Sequence, residues 1–209
     1  MNDPLKAYEA AIARHGAGFE ATLWGSPQTQ ALRFGVLADM LGRYRLMDAC
    51  VLDVGCGDGA FVRWLREEGL GASVHGLDAM APMIASAMEH GTRDATFDVC
   101  DVCATTEWCA APSYDITLLS GTLNTMSDAQ TMHVLDEAWH RCTVALAFNM
   151  LGNQPSPAWA DKPLGPARRH DVDAITRWFA QNAVAVDVRD AYLDGHDVSI
   201  VAWRVAPQA

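Results

Sequence analysis

The chain has 209 residues, with 15 Lys+Arg against 26 Asp+Glu, a formal net charge of −11, 50% hydrophobic residues and 20% charged. A chain of this length suits one domain that buries enough surface to need no metal or disulfide staple, and its composition excludes disorder. The negative charge repels duplex nucleic acid and anionic membrane surfaces, which leaves small or uncharged partners.

No internal repeat or long linker divides the sequence. The start, MNDPLKAYEA, has no basic-then-apolar leader, and the longest apolar stretch, near 144–151, is interrupted by Asn149 and falls short of the roughly 20 residues a membrane span needs. A cytoplasmic protein with reduced cysteines is the expectation. Of the six cysteines, Cys100-x-x-Cys103 followed by Cys109 has half of a zinc pattern with no second close pair, so packing is expected and no metal.

In chain order, Asn2-Asp3-Pro4 reads as the cap and first turn of a helix reaching about His15. Ser26-Pro27 starts a second helix, whose apolar Leu32, Val36, Leu37, Met40, Leu41 and Tyr44 recur at helical spacing. Short apolar runs at 50–54, 73–77, 95–99, 114–119 and 143–149 then read as buried strands, separated by helical stretches at 59–68, 81–90 and 128–141. Pro82 suits a first helical turn, and Ser127-x-x-Gln130 reads as a capping box. The segment 152–170, with four prolines, is expected to form neither element. A last helix at 172–182 precedes strands at 183–188 and 198–205 joined by the turn-like Asp194-Gly195, which should pair antiparallel. The expected fold is α/β: a Rossmann-like three-layer sandwich whose mostly parallel seven-stranded sheet ends in a C-terminal antiparallel hairpin, with helices on both faces.

The most informative stretch is Val51-Leu52-Asp53-Val54-Gly55-Cys56-Gly57-Asp58-Gly59-Ala60-Phe61. A hydrophobic strand ends in three alternate glycines, which turn tightly and admit a flat ligand where a Cβ would block it. The string also satisfies G-x-G-x-x-A, the dinucleotide fingerprint, so an NAD(P)-dependent oxidoreductase is one reading. Asp53 and Asp58 argue against a pyrophosphate here, because one like-charge pair at about 4 Å costs on the order of 4 kcal/mol at an effective dielectric near 20. The same carboxylates favour an ammonium and a sulfonium.

VLDVGCGDGAF resembles motif I of the class I S-adenosylmethionine-dependent methyltransferases, and similar pieces follow in order. His75-Gly76-Leu77-Asp78 places an acid 23 residues beyond Gly55. Phe97-Asp98-Val99-Cys100-Asp101-Val102 resembles the family's segment after the third strand, and Ser113-Tyr114-Asp115-Ile116 its fourth-strand opening. By this resemblance the cofactor is S-adenosyl-L-methionine and the product S-adenosyl-L-homocysteine. Asp78, with Ala79 beside it, would take the ribose hydroxyls; Asp101 and Val102 would meet the adenine, with Met83 packing on it; Asp53, Gly55, Cys56 and Gly57 would form the turn around the cofactor, Cys56 through its backbone; and Ser120 would lie beneath the methionine portion. Residues 1–209 are then a single methyltransferase domain: a helical cover over 1–47, the cofactor-binding core at 48–150, and an acceptor-side loop, last helix and terminal hairpin over 151–209.

On the acceptor side, the loop Ser120-Gly121-Thr122-Leu123-Asn124-Thr125-Met126 lacks the proline-containing stretch found in families that methylate exocyclic amines of bases. A small organic acceptor is expected, on a monomer or homodimer. In-line methyl displacement depends chiefly on positioning, and a base helps only where the acceptor must lose a proton. Asn124 could orient the acceptor, and His170 or His196 could act as the base. Arg33, whose guanidinium forks onto carboxylates, could hold the methionine carboxylate, and Trp24 could wall the acceptor pocket. A protein that binds the cofactor without catalysis is a further alternative.

Overall fold

The computed structural model describes residues 3–108 and 113–207; Asn2 of the predicted cap and Cys109 lie outside them. Five of the apolar runs form parallel strands: β1 (Cys50–Val54), β2 (Ser73–Asp78), β3 (Ala95–Val99), β4 (Tyr114–Ser120) and β5 (Cys142–Leu151). Two more, β6 (Ala185–Arg189) and β7 (Asp197–Trp203), pair antiparallel. The sheet order is β3-β2-β1-β4-β5-β7-β6, so β7 inserts antiparallel between β5 and β6. The predicted seven-stranded sheet with its C-terminal hairpin is the architecture observed.

The alternation of side chains along each strand explains the layers. Val51 points into one apolar cluster with Phe34, Leu37, Phe61 and Leu65, while its neighbour Leu52 points into the other with Leu135, Phe148 and Phe179. Helices α2 (Pro27–Leu41), α3 (Ala60–Glu67) and α4 (Ala81–Glu89) cover the first face, and α5 (Asp128–Arg141) and α7 (Val172–Asn182) the second. Helix α1 (Lys6–His15) carries Ala11 into a small separate cluster with Ala21 and Met83.

Helix starts follow local chemistry. The Ser26 hydroxyl accepts from Thr29 N at 3.1 Å and Pro27 occupies the first turn of α2. Ser127 and Gln130 form both halves of a capping box on α5. Several predicted bounds shift: α1 begins at Lys6, past the Asp3-Pro4 turn, and α2 ends at Leu41, which leaves Tyr44 in the short turn that follows. Strand β5 runs on to Leu151 because the fully buried Asn149 is satisfied by Gly121 N, which donates to its Oδ1 at 2.8 Å, and by Ser120 Oγ, to which its Nδ2 donates at 3.0 Å. The proline-rich segment contains a short helix, α6 (Pro157–Ala160), contrary to expectation, since Pro157 occupies a first-turn position where its missing N–H is not needed. Strand β6 begins at Ala185, two residues late, because Ala183 closes α7.

Going outward from β1, the chain builds β2 and β3, then returns to lay β4 on the opposite side of β1. Such a reversal opens a crevice at the carboxyl ends of the two central strands, where ligands of doubly wound sheets sit.

Candidate cofactor and acceptor site

The turn from β1 to α3 has positive φ at Gly55 (74°), Gly57 (57°) and Gly59 (79°), a backbone region that side chains disfavour. A Cβ on Gly55 would fall 2.4 Å from the Thr122 hydroxyl oxygen, which itself donates to Val54 O at 2.8 Å. The turn is pinned to the end of β2: Gly55 N and Cys56 N both donate to Leu77 O, at 2.7 and 3.0 Å. Gly57 N donates to Asp78 Oδ2 at 2.9 Å, and Met80 N to Asp78 Oδ1 at 2.8 Å. Asp78 therefore joins the glycine turn to the start of α4.

Above this turn lies a cleft open to solvent, enclosing about 940 Å³ of non-atom space. Its floor is Asp53, Gly55, Cys56 and Gly57, one wall is Asp78, Ala79 and Met83, and the next is Asp101 and Val102, with Ser120 completing the β4 side. The ten residues expected to surround the cofactor, Arg33 apart, thus line one space. The N-terminal segment closes it with Tyr8, Thr22, Trp24 and Gln30.

Four carboxylates border the cavity. Asp58 pairs with Arg63 at 2.9 Å, and Asp101 Oδ1 accepts from Cys103 N at 3.0 Å. Asp53 is only 3% exposed, and no hydrogen bond to it is made among the described residues. Burial, and next the charge of Asp78, push its carboxyl from 3.8 up to about 7. Asp78 is also raised, by burial first, while its two backbone donors and the neighbouring Asp58 act in opposite directions. The Cys56 thiol is pushed well up by burial and by the surrounding carboxylates, so it stays protonated at neutral pH.

Several expected residues are engaged elsewhere. Arg33, expected at a ligand carboxylate, donates instead to Asp197 of β7 and to Thr29 O, buried to 6% exposure. Its guanidinium also lies 4.6 Å over the Trp24 ring. His170, expected as a loop base, is buried at 1% exposure; its Nε2 donates to Leu123 O at 3.0 Å and burial lowers its pKa. His196 stacks on Trp159 with ring centroids 3.9 Å apart, and burial lowers its pKa too. Neither histidine lines the cavity. Asn124 Oδ1 accepts from Leu151 N at 2.9 Å and its carbonyl accepts from Arg168 N at 2.7 Å, so it fastens the β4–α5 loop to β5 and to the 152–170 segment.

A second space of about 390 Å³ lies beside the first, and Tyr8, Thr22, Trp24, Gly121 and Thr125 line both. Asn124 borders this second cavity, under Leu164, Pro166 and Ala167. Tyr8 and Gln30 were not anticipated from the sequence. The available signal for Gln30 was that the buried stripe of α2 carries two polar residues, Gln30 and Arg33, among Phe34, Leu37 and Leu41.

Residues 51–143 match the family model described as a methyltransferase domain. Solved structures with the same fold include a DhpI complex with S-adenosylhomocysteine (16% identity, 99% of this chain and 98% of that one, TM-score 0.68). They also include the magnesium protoporphyrin IX methyltransferase of Synechocystis with bound S-adenosylmethionine (16% identity, 85% of this chain and 80% of that one, TM-score 0.66). A third is a methyltransferase from Aquifex aeolicus (17% identity, 97% and 99%, TM-score 0.63). No curated protein sequence matches the chain. The glycine turn and the carboxylates around it lie within the matched residues 51–143. The chain shares the fold of these S-adenosylmethionine-dependent methyltransferases.

Proposed function

We propose that the chain transfers a methyl group to a small organic acceptor, and that the cleft above the glycine turn holds the cofactor with its cationic end toward Asp53. The observation that carries this reading is the Asp53 carboxyl, buried at the base of the glycine turn with no donor among the described residues and raised to about 7. A buried carboxyl in that condition gains from a positive ligand and loses from a diphosphate. This supports the charge argument against a dinucleotide.

When bound, S-adenosylmethionine supplies a methyl carbon made electrophilic by sulfonium. The chain's own groups position it. Asp78, fixed by two backbone donors, keeps lone pairs for the ribose hydroxyls. Asp101 and Val102 stand where the adenine edge would lie, with Met83 against its face. Since Arg33 is committed to Asp197, the buried Gln30 amide and Ser120 take the methionine end. The acceptor reading is supported by the small second cavity, and by one structural neighbour being a magnesium protoporphyrin IX methyltransferase.

Calorimetric titration tests the cofactor assignment. S-adenosylhomocysteine is expected to bind and NADH not, and Asp78→Asn should weaken the former by roughly 1.5–3 kcal/mol through loss of charge-assisted contacts. Binding of NADH alone, or a folded Asp78→Asn protein with unchanged affinity, overturns it.

A further inference from the structure

The geometry points to the second cavity, beside the cofactor space, as the acceptor site, and to an uncharged nitrogen compound, a small aryl amine or azole, as its occupant. This rests on the methyltransferase reading and adds the chemistry of the acceptor.

Charge separates the two spaces. Among the described residues, the first is bordered by four aspartates, whereas no charged side chain lines the second and Tyr8 is its one ionisable group. The nearby guanidinium groups are already committed: Arg33 to Asp197, and Arg168 to Asp128 at 3.0 Å. An anionic acceptor would lie beside carboxylates with no cation to receive it. An ammonium would be attracted, but it has no lone pair with which to attack a methyl carbon. A neutral molecule remains.

Base chemistry narrows it further. His170 and His196 border neither space. The Tyr8 phenol is held protonated, chiefly by burial and also by the charge of Asp78, against an opposing hydrogen bond from Thr125. An alcohol would need a base to take its proton during attack. An uncharged nitrogen needs none: its lone pair forms the bond to the methyl carbon while the carbon–sulfur pair returns to sulfur, and the proton of the resulting ammonium leaves afterwards to solvent. Asn124 supplies the polar contact, because its Oδ1 is taken by Leu151 N while its amide N–H groups donate to no partner among the described residues. Trp24, with a guanidinium over its ring and its edge packed on Gly121, is a fixed wall common to both spaces.

The test uses three probes of similar shape and different charge, aniline, benzoate and benzylamine, on the protein saturated with S-adenosylhomocysteine near neutral pH. Crystals soaked with each probe locate it, and calorimetry ranks them. Aniline is expected in the second cavity, at least about tenfold tighter than benzoate. Ala167→Phe, which fills the space from the 152–170 segment, should weaken aniline by about tenfold or more and leave the S-adenosylhomocysteine affinity within about twofold. Aniline absent from this cavity, benzoate binding as tightly, or Ala167→Phe without effect each overturns the inference. Failure of S-adenosylhomocysteine to bind at all overturns the cofactor reading instead, and the two failures are told apart in the same titration.

Discussion

Asp53 makes the protein sensitive to pH in a predictable direction. Its carboxyl titrates near 3.8 when unfolded and near 7 when folded, because burial and Asp78 disfavour the charge. The folded state therefore binds the extra proton between those values, and the stabilisation this gives is full below the lower one and lost as pH rises through the upper. Relative to Asp53→Asn, the wild-type Tm should fall between about pH 5 and about pH 8; parallel melting curves that keep a constant gap would contradict this. A cationic ligand reverses the shift, so binding should release a proton and strengthen as pH rises through about 7. Calorimetry in buffers of different ionisation enthalpy reads that proton directly, and Asp53→Asn should abolish it. At Gly55 the requirement is double: a positive φ of 74° and the Thr122 side chain where a Cβ would go. Gly55→Ala should cost roughly 1–2 kcal/mol from backbone conformation alone, or about 2–8 °C in Tm. Adding Thr122→Ala should relieve only the steric remainder, which a double-mutant cycle measures.

Among the elements, α2 shows most clearly what was legible in the sequence. Its start follows from Ser26-Pro27, a local signal, whereas the apolar spacing runs on to Tyr44, which lies past the helix end at Leu41 and is 56% exposed. The role of Arg33 was not legible, because its partner Asp197 lies 164 residues away on a strand that reaches it only in the finished fold. Removing one member of such a buried pair strands the other charge, so Asp197→Ala should cost about 3–5 kcal/mol in chemical denaturation, and Arg33→Leu combined with Asp197→Leu should recover much of it. The parallel strands were readable because burial on both faces produces continuous apolar runs. The late start of β6 was not: Val184 is apolar and yet 63% exposed, in the turn out of α7. For the site, the glycines and aspartates were legible because they cluster at strand ends, within a few residues of one another. Tyr8, Gln30 and the second cavity were not, since they arise where α1, α2, the β4–α5 loop and the 152–170 segment meet.

Across the whole molecule, the larger cavity is built by two bodies of chain: the sheet's carboxyl edge and the N-terminal segment that closes over it through Tyr8, Trp24 and Gln30. Ligand that touches both should bind them together. Hydrogen exchange is therefore expected to slow in α1 and the first turns of α2 when S-adenosylhomocysteine is added, while β5, fully buried over most of its length, changes little. Unchanged exchange in α1 would mean that the segment does not close on the ligand.

The buried link from Arg33 to Asp197 also orders events during synthesis. Strand β7 lies between β5 and β6, so β6 has no place in the sheet until β7 arrives, although it emerges from the ribosome earlier. Until then Arg33 lacks the partner it has in the finished fold, although Trp24 can already pack on Gly121, and Ala11 and Ala21 on Met83. A nascent polypeptide stalled before Asp197 should thus carry a formed glycine turn with its roof resting on it and one guanidinium still unmatched, a charge neutralised only once that late strand clears the exit tunnel.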